Sequence, residues 1–152
     1  MVMVSRFSSE TDRALRGAGW FPGRQVDIES WRSSMRGFPM HAAAEEFLRE
    51  FGGICVQVSG PGVTCMRTPF EIDPELALGE EDRFMELSHR FGCALFPIGA
   101  KEASEFFLSI DEDGTVYAVM NWLFSLGRGE MALQHLVTGV AGERVSVPKS
   151  GA

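Results

Sequence analysis

Very little in this sequence lends itself to covalent or metal chemistry. Cysteine occurs only at Cys55, Cys65 and Cys93, an odd, widely spaced set that fits neither a disulfide framework nor a zinc knuckle. The three are expected to be buried or half-buried free thiols. His41, His89 and His135 each fall within an expected helix and read as structural histidines, at the surface or half-buried. Gly60-Pro61-Gly62 and Gly127-Arg128-Gly129 lack the spacing, the following Lys-Ser/Thr or the strand-loop-helix context of a phosphate cradle, so they read as turns. The apolar stretch Met1 to Val4 is too short for a secretory signal, and no later run approaches a membrane span. A cytoplasmic chain without a cofactor is therefore expected. There is no internal repeat, low-complexity segment or interdomain linker.

What is present is the material of one globular core. Hydrophobic residues make up 45% of the 152 positions and charged residues 23%, which separates the chain from the disordered class. A chain of this length buries about two thirds of its unfolded surface, enough for one domain. The net charge of -7 is unevenly spread: residues 1–52 carry seven Arg and seven acids, whereas residues 71–113 carry twelve acids against Arg83, Arg90 and Lys101. Such a field repels phosphate backbones and attracts basic proteins. Nucleic acid and membrane surfaces are thus poor candidate partners.

Local patterns divide the chain into helices, strands, a helix, strands and a last helix. Ser8 or Ser9 caps a first helix with Glu10 and Asp12 at its positive end, stopped by Gly17 and Gly19. Ile28, Trp31 and Met35 recur at i, i+3, i+7 in a second. The third runs from about Met40 to Phe51, with Ala43, Phe47, Leu48 and Phe51 on one face and Glu45, Glu46, Arg49 and Glu50 turned mostly outward. From Ile54 the period changes to two through Val58. A further strand is expected from about Val63 to Ile72, then a short helix after Asp73-Pro74. Another helix carries Phe84, Leu87 and Phe91. Leu95 to Gly99 reads as a short strand in which Pro97 implies an edge or a bulge. Phe107–Ile110 and Thr115–Val119 form a hairpin across Asp111-Glu112-Asp113-Gly114, whose Asp-Gly step supports a tight connection. The final helix spans about Gly129 to Thr138. The tail from Glu143 reads as loose, although Val145 and Val147 could add an edge strand. This order lacks strict strand-helix alternation, so the expected class is α+β, a mainly antiparallel sheet packed against several helices.

Three groups of residues stand out as candidates for partner binding. Glu80, Glu81 and Asp82 open a helix, where their simplest use is to complement the dipole. Asp111, Glu112 and Asp113 match part of a calcium loop, but the remaining ligands and the terminal Glu are missing, and a hairpin turn is the favoured reading. Trp20-Phe21 and Trp122-Leu123-Phe124 lie near turns, where an aromatic side chain can serve as an interface anchor. Nothing in the sequence places a base beside a nucleophilic cysteine, so no catalytic residue is assigned.

An ordered set of stretches runs along the chain: Gly19-Trp20 with Pro22-Gly23-Arg24; Trp31; and Ala43-x-x-Glu46-Phe47-Leu48-x-Glu50-Phe51-Gly52-Gly53. It continues through Phe70-x-x-Asp73-Pro74, Phe96-Pro97-Ile98-Gly99, Leu108-x-Ile110-x-x-x-Gly114-x-Val116-Tyr117 and Leu126-Gly127. In these stretches the chain resembles the SUKH superfamily, specifically its third subgroup of bacterial immunity proteins. The resemblance implies a single SUKH-like domain, ordered from about 7 to 140, that binds and neutralises a cognate toxin, often a nuclease or nucleic-acid deaminase with a basic surface. It carries over no catalytic residue. Two other readings stay open: a general intracellular adaptor or regulator on the same fold, and a small hydrolase or metal-binding enzyme whose residues converge only in three dimensions.

Overall fold

The first helix begins where the sequence puts its cap. Ser8 Oγ accepts the amide of Thr11 at 3.3 Å, and α1 follows over Ser9–Gly17 with Glu10 and Asp12 in its first turn. In the computed structural model, which describes residues 6–102 and 105–148, α2 spans Glu29–Ser34, α3 Ala42–Phe51, α4 Glu81–Phe91 and α5 Gly129–Thr138, with a 3-10 turn at Pro74–Ala77. His41 caps α3: Nδ1 accepts the Ala44 amide at 3.2 Å. An amide can only donate, so the ring proton lies on Nε2, which faces the carbonyls of Ala94 at 2.9 Å and Ile110 at 3.2 Å. One imidazole thus pins the start of α3 to the sheet, the structural role expected of it.

Among the described residues, nine strands follow in chain order: β1 Cys55–Val56, β2 Gly60–Pro61, β3 Met66–Arg67, β4 Phe70–Glu71, β5 Phe96–Lys101, β6 Phe106–Ile110, β7 Thr115–Val119, β8 Leu123–Arg128 and β9 Glu143–Arg144. Seven form one sheet in the order β1-β4-β5-β6-β7-β8-β9, while β2 and β3 pair separately. Each of these pairings is antiparallel. The protein is therefore an α+β fold.

The single strand expected from Val63 to Ile72 is instead broken into pieces. Gly62 explains the break: a Cβ there would come within 2.4 Å of the Cys65 carbonyl and 2.6 Å of Gly139 Cα, so the chain doubles back against the end of α5. The strand at Pro97 lies inside the sheet, between β4 and β6. Of the two readings left for Pro97 the bulge holds, because the β5–β6 register shifts between Pro97 and Gly99. Strand β8 was not visible in the sequence. Its register on β7 skips Leu126, since Val116 faces Gly127 and Tyr117 faces Ser125. That bulge breaks the period of two and buries both Leu123 and Leu126. At the far edge, β9 pairs Glu143 with Ser125 and Arg144 with Phe124.

Alternation in β6 puts Phe107 and Ser109 on one face and Leu108 and Ile110 on the other. All four are buried, so this strand is covered on both sides. Phe84 of α4 meets Phe107 at 6.1 Å, and Phe38 stands edge-on to Phe84 at 5.5 Å. A second aromatic group joins α1 to α3: Trp20 stacks on Phe51 at 6.1 Å and Phe7 stands edge-on to Trp20 at 5.3 Å. Each buried ring contributes about 1.5–3 kcal/mol, so the first group ties α4 to the sheet and the second ties the segments around α1 to α3.

Candidate functional site: an acidic groove

The elements converge around a groove of about 750 Å³ bounded by α3, the β6–β7 turn and the first turn of α5. Each wall has a local cause. On α3, Glu46 and Glu50 are four residues apart and share a helix face, beside Phe47 and Phe51, which form part of the floor. Gly114 takes φ 89, letting the chain reverse. Its carbonyl accepts the Gly129 amide at 3.0 Å, which ties the hairpin turn to the start of α5 and brings Glu130 and Met131 to the groove.

The rim carries Glu46, Glu50, Glu112, Asp113 and Glu130, opposed by Arg6 and Arg128. Five carboxylates against two guanidinium groups leave it negative. Arg6 is engaged: Nη1 meets Glu50 Oε2 at 2.6 Å, Nη2 meets Glu50 Oε1 at 3.1 Å, and the same guanidinium reaches Glu130. Trp20 Nε1 adds a donor to Glu50 Oε2 at 2.9 Å. Burial works against the Glu50 charge, but the hydrogen bonds from Arg6 and Trp20 and the Arg6 charge outweigh it, holding this carboxyl below the usual range.

The residues singled out from the sequence do not form one site. Glu112 and Asp113 reach the groove, but Asp111 is buried at 4% exposure and its oxygens are taken up inside the turn. Oδ1 accepts the amides of Asp113 at 2.9 Å and Thr115 at 3.0 Å, and Oδ2 accepts the Tyr117 hydroxyl at 2.8 Å. Glu112 Oε2 accepts the Ala94 amide at 2.9 Å. The three carboxylates approach within 4.8 Å of one another, yet these bonds account for the cluster as a hairpin latch. Tyr117 is pushed above its ordinary value by burial and then by its bond to Asp111.

Glu80 pairs with Arg83 at 3.3 Å. Glu81 accepts the Gly79 amide at 3.1 Å and borders a second depression of about 480 Å³ with Phe84, Met85 and Cys93. Asp82 borders a third, with Trp122 and Arg144. Trp122 is half-buried; its Nε1 donates to the Val145 carbonyl at 2.7 Å, and Arg144 lies 4.4 Å from the ring centre. Trp20 is not an exposed anchor. Its ring is only 3% exposed because it fills the gap between Phe7 and Phe51, and the exposed aromatic of that turn is Phe21 at 53%.

Among the cysteines, Cys65 and Cys93 are half-buried, but Cys55 is exposed, because it sits on the outward side of the two-residue edge strand β1. Burial, and then Asp111, Glu112 and Asp113, push the Cys93 thiol up to about 11, the reverse of an activated nucleophile. His89 precedes Cys93 by four residues, the spacing of a helical ligand pair, but α4 ends at Phe91 and Gly92 turns left-handed between them. His135 Nδ1 is taken by the Leu126 carbonyl at 2.7 Å. What the geometry can do is receive positive charge.

Sequence reasoning missed Glu46, Glu50 and Glu130 as site residues. The i, i+4 spacing of the first two was the available signal; their conjunction with Glu130 was not, because it spans the length of the chain. Among the described residues, no helix is long and apolar enough to cross a membrane.

Comparison with curated proteins and with solved structures returned no match. The family of SUKH-3 immunity proteins matches residues 7–139, a stretch that contains α1 to α5, the sheet through β8 and every acidic residue of the groove. The chain belongs to the SUKH-3 immunity protein family.

Proposed function

We propose that this protein neutralises a cognate toxin, a nuclease or nucleic-acid deaminase, by docking the acidic groove against the basic surface with which that toxin grips nucleic acid, so that its active cleft is blocked. Membership of the SUKH-3 immunity protein family supports a role in toxin immunity. The observation that carries the finer reading is the groove itself: five carboxylates from three separate elements around a floor of Phe47, Phe51 and Ile110. Complementary charge accelerates encounter and sets orientation, while a desolvated apolar floor supplies affinity. Glu112 and Asp113 act as contact residues at the rim. Glu80, Glu81 and Asp82 contribute to the long-range field that draws in a basic partner. No step requires turnover by this chain.

The test is co-expression with the toxin encoded beside it, scored by rescue of growth and by co-purification, for the wild type and for a Glu46→Gln, Asp113→Asn double variant. Loss of rescue with a retained fold supports the groove. Undiminished binding by the double variant at low salt places the contact elsewhere, and turnover of any substrate by the purified chain overturns blockade as the mechanism.

A further inference from the structure

The N-terminal segment lays one side chain and one amide across the groove. Arg6 makes a two-pronged contact with Glu50 and also reaches Glu130, and the Ser8 amide donates to Gln134 Oε1 at 2.8 Å. All three receiving residues line the groove. The guanidinium carbon also lies 5.6 Å from the Phe7 ring centre and 5.7 Å from that of Trp20. Two carboxylates at fixed separation with aromatic rings alongside suit a guanidinium better than an ammonium, because the planar fork can bridge both acids while its face meets a ring.

From this we infer that Arg6 is an internal stand-in for a partner's arginine: residues 6–8 form a strap that occupies the guanidinium site in the free protein and yields it, like for like, when an arginine from the toxin enters. This rests on the proposed use of the groove and adds the side chain the groove selects. Three features make the exchange feasible. Arg6 keeps 37% of its side chain in solvent, so its ion pairs contribute little to stability and release cheaply. Glu50 stays oriented when Arg6 leaves, because Trp20 Nε1 still holds Oε2. Phe7, at 4% exposure, anchors the strap while Arg6 swings out, so α1 need not move. Glu50 and Glu130 keep a cation at either end of the exchange, which avoids leaving the half-buried Glu50 charge unpaired.

A masked site loses apparent affinity in proportion to the fraction masked, so removing the strap's cation strengthens arginine binding. The probes are fluorescently labelled hexa-arginine and hexa-lysine peptides, titrated at low salt against the full chain, Arg6→Ala, and Arg13→Ala as a control of equal charge on the exposed side of α1. Arg6→Ala is expected to bind hexa-arginine about tenfold more tightly than the wild type, the relief for a site open about a tenth of the time. Hexa-lysine gains less, and Arg13→Ala gains nothing. Circular dichroism and melting establish that the variants are folded; Arg6→Gln replaces Arg6→Ala if the latter is not, with the same expected direction. No gain on loss of Arg6, or an equal gain in Arg13→Ala, overturns the strap. If the wild type still binds hexa-arginine and Glu46→Gln with Asp113→Asn weakens that binding, the acidic groove survives the strap's failure. Hexa-arginine binding to none of the chains removes the groove reading and the strap together.

Discussion

The indole Nε1 of Trp20 donates to Glu50 Oε2 at 2.9 Å, so a ring buried between α1 and α3 sets the direction of a carboxylate that faces the groove. Trp20→Phe removes the donor and also shrinks a buried ring packed between Phe7 and Phe51. It is expected to cost about 2–3 kcal/mol in chemical denaturation and to loosen the Arg6–Glu50 contact, visible as faster amide exchange near the start of α1.

The Glu50 carboxyl titrates below the ordinary value when folded, so the folded state takes up this proton at lower pH than the unfolded chain. The stability it contributes is present above the ordinary glutamate value of about 4.3 and is lost as pH falls through that value toward the folded one. Glu50→Gln should flatten the melting temperature against pH below about pH 5. A curve as steep as the wild type's would assign acid sensitivity to other carboxylates.

Tyr117 is the single tyrosine of the chain, so ultraviolet titration of phenolate reads it alone. Burial and the Asp111 contact raise its value; little phenolate should form in the folded protein at the ordinary value of about 10. The sign follows: the neutral phenol is favoured in the fold, so its contribution is complete below the ordinary value and disappears as pH rises toward the folded one. Asp111→Ala should bring the titration down and cost about 2–4 kcal/mol, because two amides and a hydroxyl lose their acceptor.

Thiol alkylation should order the cysteines by environment. Cys93, pushed up from 9.0 to about 11, holds on the order of 100-fold less thiolate at neutral pH than an unshifted thiol. Exposed Cys55 is expected to label first under iodoacetamide and Cys93 last, as followed by peptide mass mapping. Fast labelling of Cys93 would show that its pocket opens to solvent.

Gly99 has no room for a side chain, since a Cβ would lie 1.9 Å from the Glu71 carbonyl. Gly99→Ala must push β4 away from β5 at the bulge, costing about 3 kcal/mol or preventing folding altogether. A melting temperature within a few degrees of the wild type's would mean that the β4–β5 register is softer than its geometry.

Much of this architecture is written locally. Ser8, Asp73-Pro74, Gly92 and the Asp111–Gly114 turn each act within a few residues, through caps and positive φ, so the order of elements and the α+β class could be read from the chain. Strand β8 could not, because the bulge at Leu126 replaces a period of two with a spacing that has meaning only opposite Tyr117 and Val116. Net charge by stretch conceals the groove for a related reason. Residues 1–52 sum to zero, yet Glu46 and Glu50 lie in that stretch and join Glu112, Asp113 and Glu130 at the groove, while Asp111, one of the twelve acids of residues 71–113, is buried.

What the sequence settled alone was therefore the set of helices and the hairpin, since these depend on neighbours a few bonds apart. What tertiary structure alone decided was which carboxylates share one field and which aromatic reaches water. Those properties arise between residues such as Arg6 and Glu130, 124 positions apart, where chain order carries no distance and only packing does.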